Sequence, residues 1–365
     1  MTRDILNIDT SFPTKFRHEE LDLQGLEAIR LLLNGTSIID WHKLDMKTIE
    51  DVNQFLRVQL LEPDDIGDMF RLRFVFNQAI TYLEEHLHMR LPKELRQPED
   101  VRDVFLTAST YTGRFRRKQT QACTILKLMH VINHMEAADL KFQSPISEAL
   151  LLDRAEKRII RHANQMRESG FNLLAFYGSR KTRTSMITKL LAKQETIAAT
   201  IFDKLRFRIV VAEKQEIVPV LAHLTKTLFP FNYVIPGESH NNLIHLREVM
   251  KGRPHYAKLA SKLQRLHGET NELAGEINPY SGQSYRMINF IVDFPVRVDA
   301  ILPELNTDSS YMLGQTVFVM VEFQVVDRET NDKNEKGDNA HTLYKARQRK
   351  IVEGRLLKGS LYKDK

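Results

Sequence analysis

A carboxylate and an amide, Glu322 and Gln324, stand two residues apart in the run Val317-Phe318-Val319-Met320-Val321-Glu322-Phe323-Gln324-Val325-Val326. Its β-branched and aromatic content predicts a central strand, and alternation puts Glu322 and Gln324 on one face of it. A lone charge buried there is strongly unfavourable. Either an arginine neutralises Glu322 as a structural ion pair, or the two side chains line a polar cleft in which a carboxylate serves as base or metal ligand. Cations are offered by Lys204-Leu205-Arg206-Phe207-Arg208, a second strand that presents Arg206 and Arg208 on one face and follows directly on Asp203. An aspartate in that place serves as a loop cap or as a metal ligand. The segment Ser179-Arg180-Lys181-Thr182-Arg183-Thr184-Ser185 lies between a predicted strand and a predicted helix. Its cations and the free N–H groups of the helix could converge on phosphates; the bland alternative is a solvated basic turn.

The order of these pieces matters more than any one of them. A basic turn ending in Ser185-Met186-Ile187 and Lys189 is followed by Asp203 with Arg208 five residues on. Then come Gln283-Ser284, Val321-Glu322-Phe323-Gln324, and His341-Thr342-Leu343-Tyr344-Lys345. Over roughly residues 170 to 350 this series resembles the RelA/SpoT synthetase family. The resemblance implies magnesium-dependent transfer of pyrophosphate from ATP to the 3′-hydroxyl of GDP or GTP, the chemistry of (p)ppGpp synthesis in the stringent response. It implies that Arg180, Lys181, Arg183, Ser185, Lys189 and Arg208 contact ATP phosphates. Asp203 and Glu322 would be catalytic and hold Mg2+, and Tyr280, Gln324, His341 and Lys345 would line the acceptor side. Ser281-Gly282-Gln283-Ser284-Tyr285-Arg286 departs from the family's Gly-Tyr-x-Ser-x-His loop, so the stacking tyrosine is absent from its place. Tyr280 is the preferred substitute, because Tyr285 on a strand beginning near Ser284 would face away from it. The loss also opens two further readings: the same chemistry on an RNA (tRNA) 3′ end, and a catalytically silent module that binds a nucleotide or partner.

The elements that must position these residues divide the chain. From about residue 20 to 170 the apolar spacing is helical, punctuated by Gly35, Pro63 and Pro92, and Ser144-Pro145-Ile146-Ser147-Glu148 starts a helix that stops at Gly170. Beyond it, short apolar runs alternate with helical ones, which predicts an α+β fold with a mixed sheet flanked by helices. The expected units are a helical region, 1–150, and a synthetase-like unit, 151–365, carrying a basic helical insertion at about 246–276. The polar run Asp327 to Asn339 is expected to be a mobile loop, and Ala340 to Leu357 a basic helix. In the helical region His130 and His134 stand one turn apart with Glu136 and Asp139 following, but no aspartate adjoins a histidine as in the His-Asp hydrolases. They are read as core-edge residues, and Trp41, Phe70, Phe74 and Phe76 as core.

Composition bounds the partners. Fifty-three basic against 47 acidic residues, a net +6 with an isoelectric point near 9.2, permits nucleotides or RNA without demanding either. A single cysteine, Cys123, excludes an intramolecular disulfide framework and a cysteine-rich zinc site. No run of apolar residues is long enough for a membrane span, and the first residues lack the apolar core of a signal peptide, so a cytoplasmic protein is expected. Nothing in the sequence sets an oligomeric state.

Overall fold

The helical spacing of the first half winds into helices whose ends carry side-chain caps. The computed structural model describes residues 3–4, 23–34, 41, 46–110, 116–192, 204–246, 261, 284–299, 314–336 and 341–356. Helix α1 (Leu23–Asn34) is followed by α2 (Ile49–Val58), α3 (Ile66–Glu85), the single turn α4 (Lys93–Arg96), α5 (Arg102–Ser109) and the long α6 (Arg116–Gln143). Thr48 and Asp51 form a reciprocal capping box at the start of α2, and Asp65 accepts the Asp68 N–H at the start of α3. Helix α7 (Glu148–Glu168) begins where its sequence predicts, with the Ser147 hydroxyl accepting the Leu150 N–H. It ends against Gly170, whose φ of 91° lies in the left-handed region that glycine enters without a side-chain clash.

The sheet joins a short strand near the start of the chain to strands that follow α7. Its strands are β1 (Arg3–Asp4), β2 (Leu173–Arg180), β3 (Leu205–Val211), β4 (His240–Asn241), β5 (Ile288–Arg297) and β6 (Thr316–Asp327), in the spatial order β1-β2-β3-β6-β5-β4. The central pair β3/β6 is parallel; the other pairings are antiparallel. Helices α8 (Arg183–Ala192), α9 (Ile217–Thr227), α10 (Arg328–Asn334) and α11 (His341–Leu356) complete the described elements. The fold is α+β, as expected.

One face of the sheet is mostly apolar. Phe207, Phe323 and Phe290 stand side by side on β3, β6 and β5, with ring centroids 6.0 and 5.5 Å apart, and Phe229 meets Phe323 at 5.2 Å. They are buried with residues of α7, α9 and one side of α1, each such side chain stabilising the fold by roughly 1.5–3 kcal/mol. A second core fills the helical region, where Trp41 lies edge-on to Phe55 and Phe105. Phe76 belongs to it and Phe74 is half-buried, but Phe70 is 58% exposed, against expectation. Six residues along a helix turn the side chain by about 240°, so Phe70 and Phe76 cannot share a face.

The polar run after β6 is the second correction. Its first seven residues form α10 rather than a loop. Asp327 caps it by accepting the Thr330 N–H, and the buried Asn334 side chain exchanges two hydrogen bonds with the Arg286 backbone. A cap and a backbone-reading amide thus compensate for the missing apolar surface. The expected insertion at 246–276 falls almost wholly outside the described residues. Among those described, no helix is long and apolar enough to cross a membrane.

Candidate functional site

The parallel register of β3 and β6 sets Arg206 opposite Glu322 and Arg208 opposite Gln324, on the sheet face turned away from the phenylalanines. Glu322 is almost fully buried, and Arg206 Nε donates to its Oε2 at 2.6 Å. Gln324 Nε2 donates to the other Glu322 oxygen at 2.9 Å, and Gln324 Oε1 accepts from Arg208 Nε at 3.1 Å. Arg208 spends its remaining nitrogens on Glu335 Oε1, 2.7 Å, and on the Tyr285 hydroxyl, 3.0 Å. The result is a continuous polar row, arginine–carboxylate–amide–arginine, across the two central strands. Antiparallel pairing extends it, since Asn289 of β5 sits opposite Gln324 and His240 of β4 opposite Asn289. The Asn289 Oδ1 atom is buried and has no donor, an acceptor that a ligand or water would satisfy.

The basic turn divides. Arg180 is paired in register with Leu205, which places it on the apolar side of the sheet, and its guanidinium meets Glu156 and Asp153 of α7. The structure therefore does not bring Arg180 into the row. Lys181 donates its backbone N–H to the Lys204 carbonyl at the mouth of β3. Arg183 and Ser185 lie in the first turn of α8, where the Thr182 hydroxyl accepts the Ser185 N–H at 3.2 Å, and Lys189 is half-buried further along that helix. His341 opens α11 and Lys345 is exposed on it, and α11 packs against α8. Asp203 and Tyr280 lie outside the described residues.

Arg206, Tyr285, Asn289, His240 and Glu335 belong to the site, and the motifs assigned none of them. Alternation had already put Arg206 beside Arg208, so the ion pair with Glu322 was within reach of the pattern. Tyr285 was not, because it precedes β5, in a segment fixed by Asn242, whose amide donates to the Tyr285 carbonyl at 2.8 Å.

The histidine pair of α6 serves packing. His134 stacks on Phe318 at 4.1 Å and its Nδ1 lies 3.1 Å from Asp293 Oδ2. Burial, aided by the neighbouring His134, pushes the His130 pKa down to about 3. Glu136 is held by Arg71 and Gln78. Among the described residues no three histidine, cysteine or acidic side chains are grouped to hold a metal ion.

No protein-family model and no curated protein matches this chain. Among solved structures, it is similar to small alarmone synthetases. Small alarmone synthetase 1 from Bacillus subtilis is 15% identical with a TM-score of 0.30, over 55% of this chain and 83% of that one. Small alarmone synthetase 2 from the same organism is 14% identical with a TM-score of 0.28, over 56% and 89%. Synthetase 1 bound to its product pppGpp gives 15% and 0.28, over 63% of this chain and 95% of that one.

Proposed function

We propose that the row formed by Arg206, Glu322, Gln324 and Arg208 is the floor of a site that transfers pyrophosphate from ATP to a nucleotide 3′-hydroxyl, with GDP or GTP as acceptor. The observation that carries this reading is a buried carboxylate flanked by two partly exposed arginines at the centre of the sheet, within the ordered motifs described above. Pyrophosphoryl transfer asks a protein mainly for positioning and charge neutralisation. Arg206 and Arg208, about a third and a quarter exposed, can turn toward phosphate oxygens. Departure of Arg206 from Glu322 frees a carboxylate oxygen to take the acceptor's proton. The 3′-oxygen then bonds to the β-phosphorus as the bond from that phosphorus to the α-phosphate oxygen breaks, and AMP leaves. Gln324 is bonded to Glu322 and Asn289 sits opposite Gln324, where they can hold the acceptor nucleotide.

Magnesium fits the donor set in one respect. Each Glu322 oxygen accepts one described hydrogen bond and keeps lone-pair capacity, and Asp203 supplies the second carboxylate in sequence. Bound there, the ion would neutralise phosphate charge.

The test is incubation of the full chain with γ-labelled ATP, magnesium and GDP, GTP or tRNA in parallel. Label on the guanine nucleotide, lost in Glu322→Gln, supports the proposal. Label on tRNA would move the acceptor to RNA, a reading favoured by the basic helix α11 packed against α8. No label in any product leaves a nucleotide-binding module without transfer.

A further inference from the structure

Helix α6, the longest of the described helices, buries one side only. Ala122, Ile125, Leu126 and Met129 enter the helical core, and Ala137 and Leu140 enter the sheet's core. Along the opposite side the second half of the helix is apolar and open to water. Val131 is 43% exposed, Met135 62% and Phe142 92%, with Ala138 exposed between them and Leu128 half-buried at the near end. An apolar residue alone on a surface needs no explanation. These five follow one another at intervals of three, four, three and four residues. That is the spacing of a coiled-coil seam, in which each side chain seats among residues of a facing helix.

The seam matches its own reverse. In a two-fold pairing, every contact between residues i and j recurs between j and i. Setting Val131 of one copy against Met135 of a reversed second copy brings Leu128 level with Ala138 and Thr124 level with Phe142, because one offset relates all three pairs. In the two outer layers the larger side chain then faces the smaller. A parallel pairing would set Phe142 on Phe142 and Ala138 on Ala138, crowding one layer and leaving a gap in the other. Charge favours the same direction. Lys127 and Asp139 lie on the two flanks of the seam, and neither side chain has an ion-pair partner among the described residues. Reversed copies bring Lys127 level with Asp139 across the seam, whereas parallel copies bring each charge level with its like. The dipoles of two reversed helices also oppose one another.

We propose that the exposed seam of α6, from Leu128 to Phe142, docks antiparallel on the same seam of a second copy of this chain. Thr124 to Phe142 spans about 27 Å of helix, a short contact at the low end of interface sizes, so the dimer should form at micromolar concentration and remain exchangeable. The docking does not depend on the chemistry of the Glu322 row.

Analytical ultracentrifugation of the full chain from about 1 to 100 µM tests this. The expected result is a mass that rises from 42.5 kDa toward twice that value. Met135→Glu changes an exposed residue, so it should keep the parent Tm and hold the chain at the monomer mass throughout. Lys127→Asp should weaken the dimer severalfold, and adding Asp139→Lys should restore it. Oxidative cross-linking reads the direction: a mixture of Val131→Cys and Met135→Cys should give disulfide-linked dimers, and neither variant alone should. A monomer mass at every concentration would overturn the proposal and leave the seam to a different protein. So would a dimer that Met135→Glu does not disturb, which is built on another surface, or cross-linking of Val131→Cys with itself, which is the parallel arrangement. Should Met135→Glu misfold, Phe142→Glu, at the most exposed position of the seam, decides.

Discussion

Glu322 meets Arg206 across the middle of the sheet, and the pair is lopsided: the Glu322 side chain is almost fully buried while the Arg206 side chain is about a third exposed. Glu322→Gln strands a partly hydrated cation rather than a fully buried one, so the loss should be about 1–3 kcal/mol, below the cost of breaking a fully buried pair. Urea denaturation checks this, and an unchanged midpoint would mean that the pair holds nothing together. Histidines set the acid limit. His130 and His162 are both held down to about 3 by burial, His162 also beside His223 and Arg158. An unfolded chain takes up a proton at each near its ordinary 6.5, and the folded chain does not until about pH 3. Stability is therefore complete above pH 6.5 and falls as pH drops below it, by up to about 1.4 kcal/mol per pH unit for each histidine. Urea midpoints measured at pH 7.5 and 5 should show this decline, and His130→Gln combined with His162→Gln should flatten it. The side-chain partners were legible to different depths. Alternation alone put Glu322 with Gln324 and Arg206 with Arg208, whereas Tyr285 reaches Arg208 through a backbone path set by Asn242 and Asn334, which no local pattern encodes.

At the scale of elements, Arg158 is a buried tie between α7 and the sheet. Arg158 donates to the carbonyls of Pro295 and Leu228, 3.0 Å each, and lies 4.9 Å above the Phe294 ring. Desolvation lowers its pKa to about 10, so it remains charged at neutral pH, with its charge met by carbonyls and a ring face. Arg158→Ala removes both hydrogen bonds and the stem's packing, and should cost about 2–4 kcal/mol. Arg158→Lys, lacking the fork, should recover less than half of that, as read from thermal melts. Helix α7 was legible because its caps are local: Ser147 and Gly170 each act within a turn of their own position. Helix α10 was missed because its support comes from afar, the Asn334 amide on the Arg286 backbone 48 residues away. The pairing of β3 with β6 is also beyond local reading, since any two apolar strands of similar length satisfy the same alternation.

The whole molecule is held by ties that cross from the helices to the sheet. Arg297 of β5 meets Asp68 of α3 at 2.6 Å and the Leu60 carbonyl at 3.0 Å, and Lys141 of α6 donates to the Phe318 carbonyl at 3.1 Å. Helix α1 gives Leu26, Ile29, Leu32 and Leu33 to the sheet's core and Ala28 and Leu31 to the helical one. A fragment spanning 151–365 therefore lacks Leu26, Ile29, Leu32 and Leu33 of α1, each worth roughly 1.5–3 kcal/mol, and Ala137 and Leu140 of α6. Expressed alone, it should be insoluble or melt far below the full chain; a fragment with the parent Tm would show that α1 is dispensable. The parallel pairing of β3 and β6 carries a consequence for biosynthesis. Arg206 and Glu322 are 116 positions apart, so the ribosome completes β3 long before its central neighbour emerges. During that interval one edge of Leu205-Arg206-Phe207-Arg208-Ile209-Val210-Val211 has no native strand to pair with, while closure of the pair waits on a long loop. Nascent chains stalled after Val211 should recruit chaperones or aggregate, and those stalled with Asn334 beyond the exit tunnel should not.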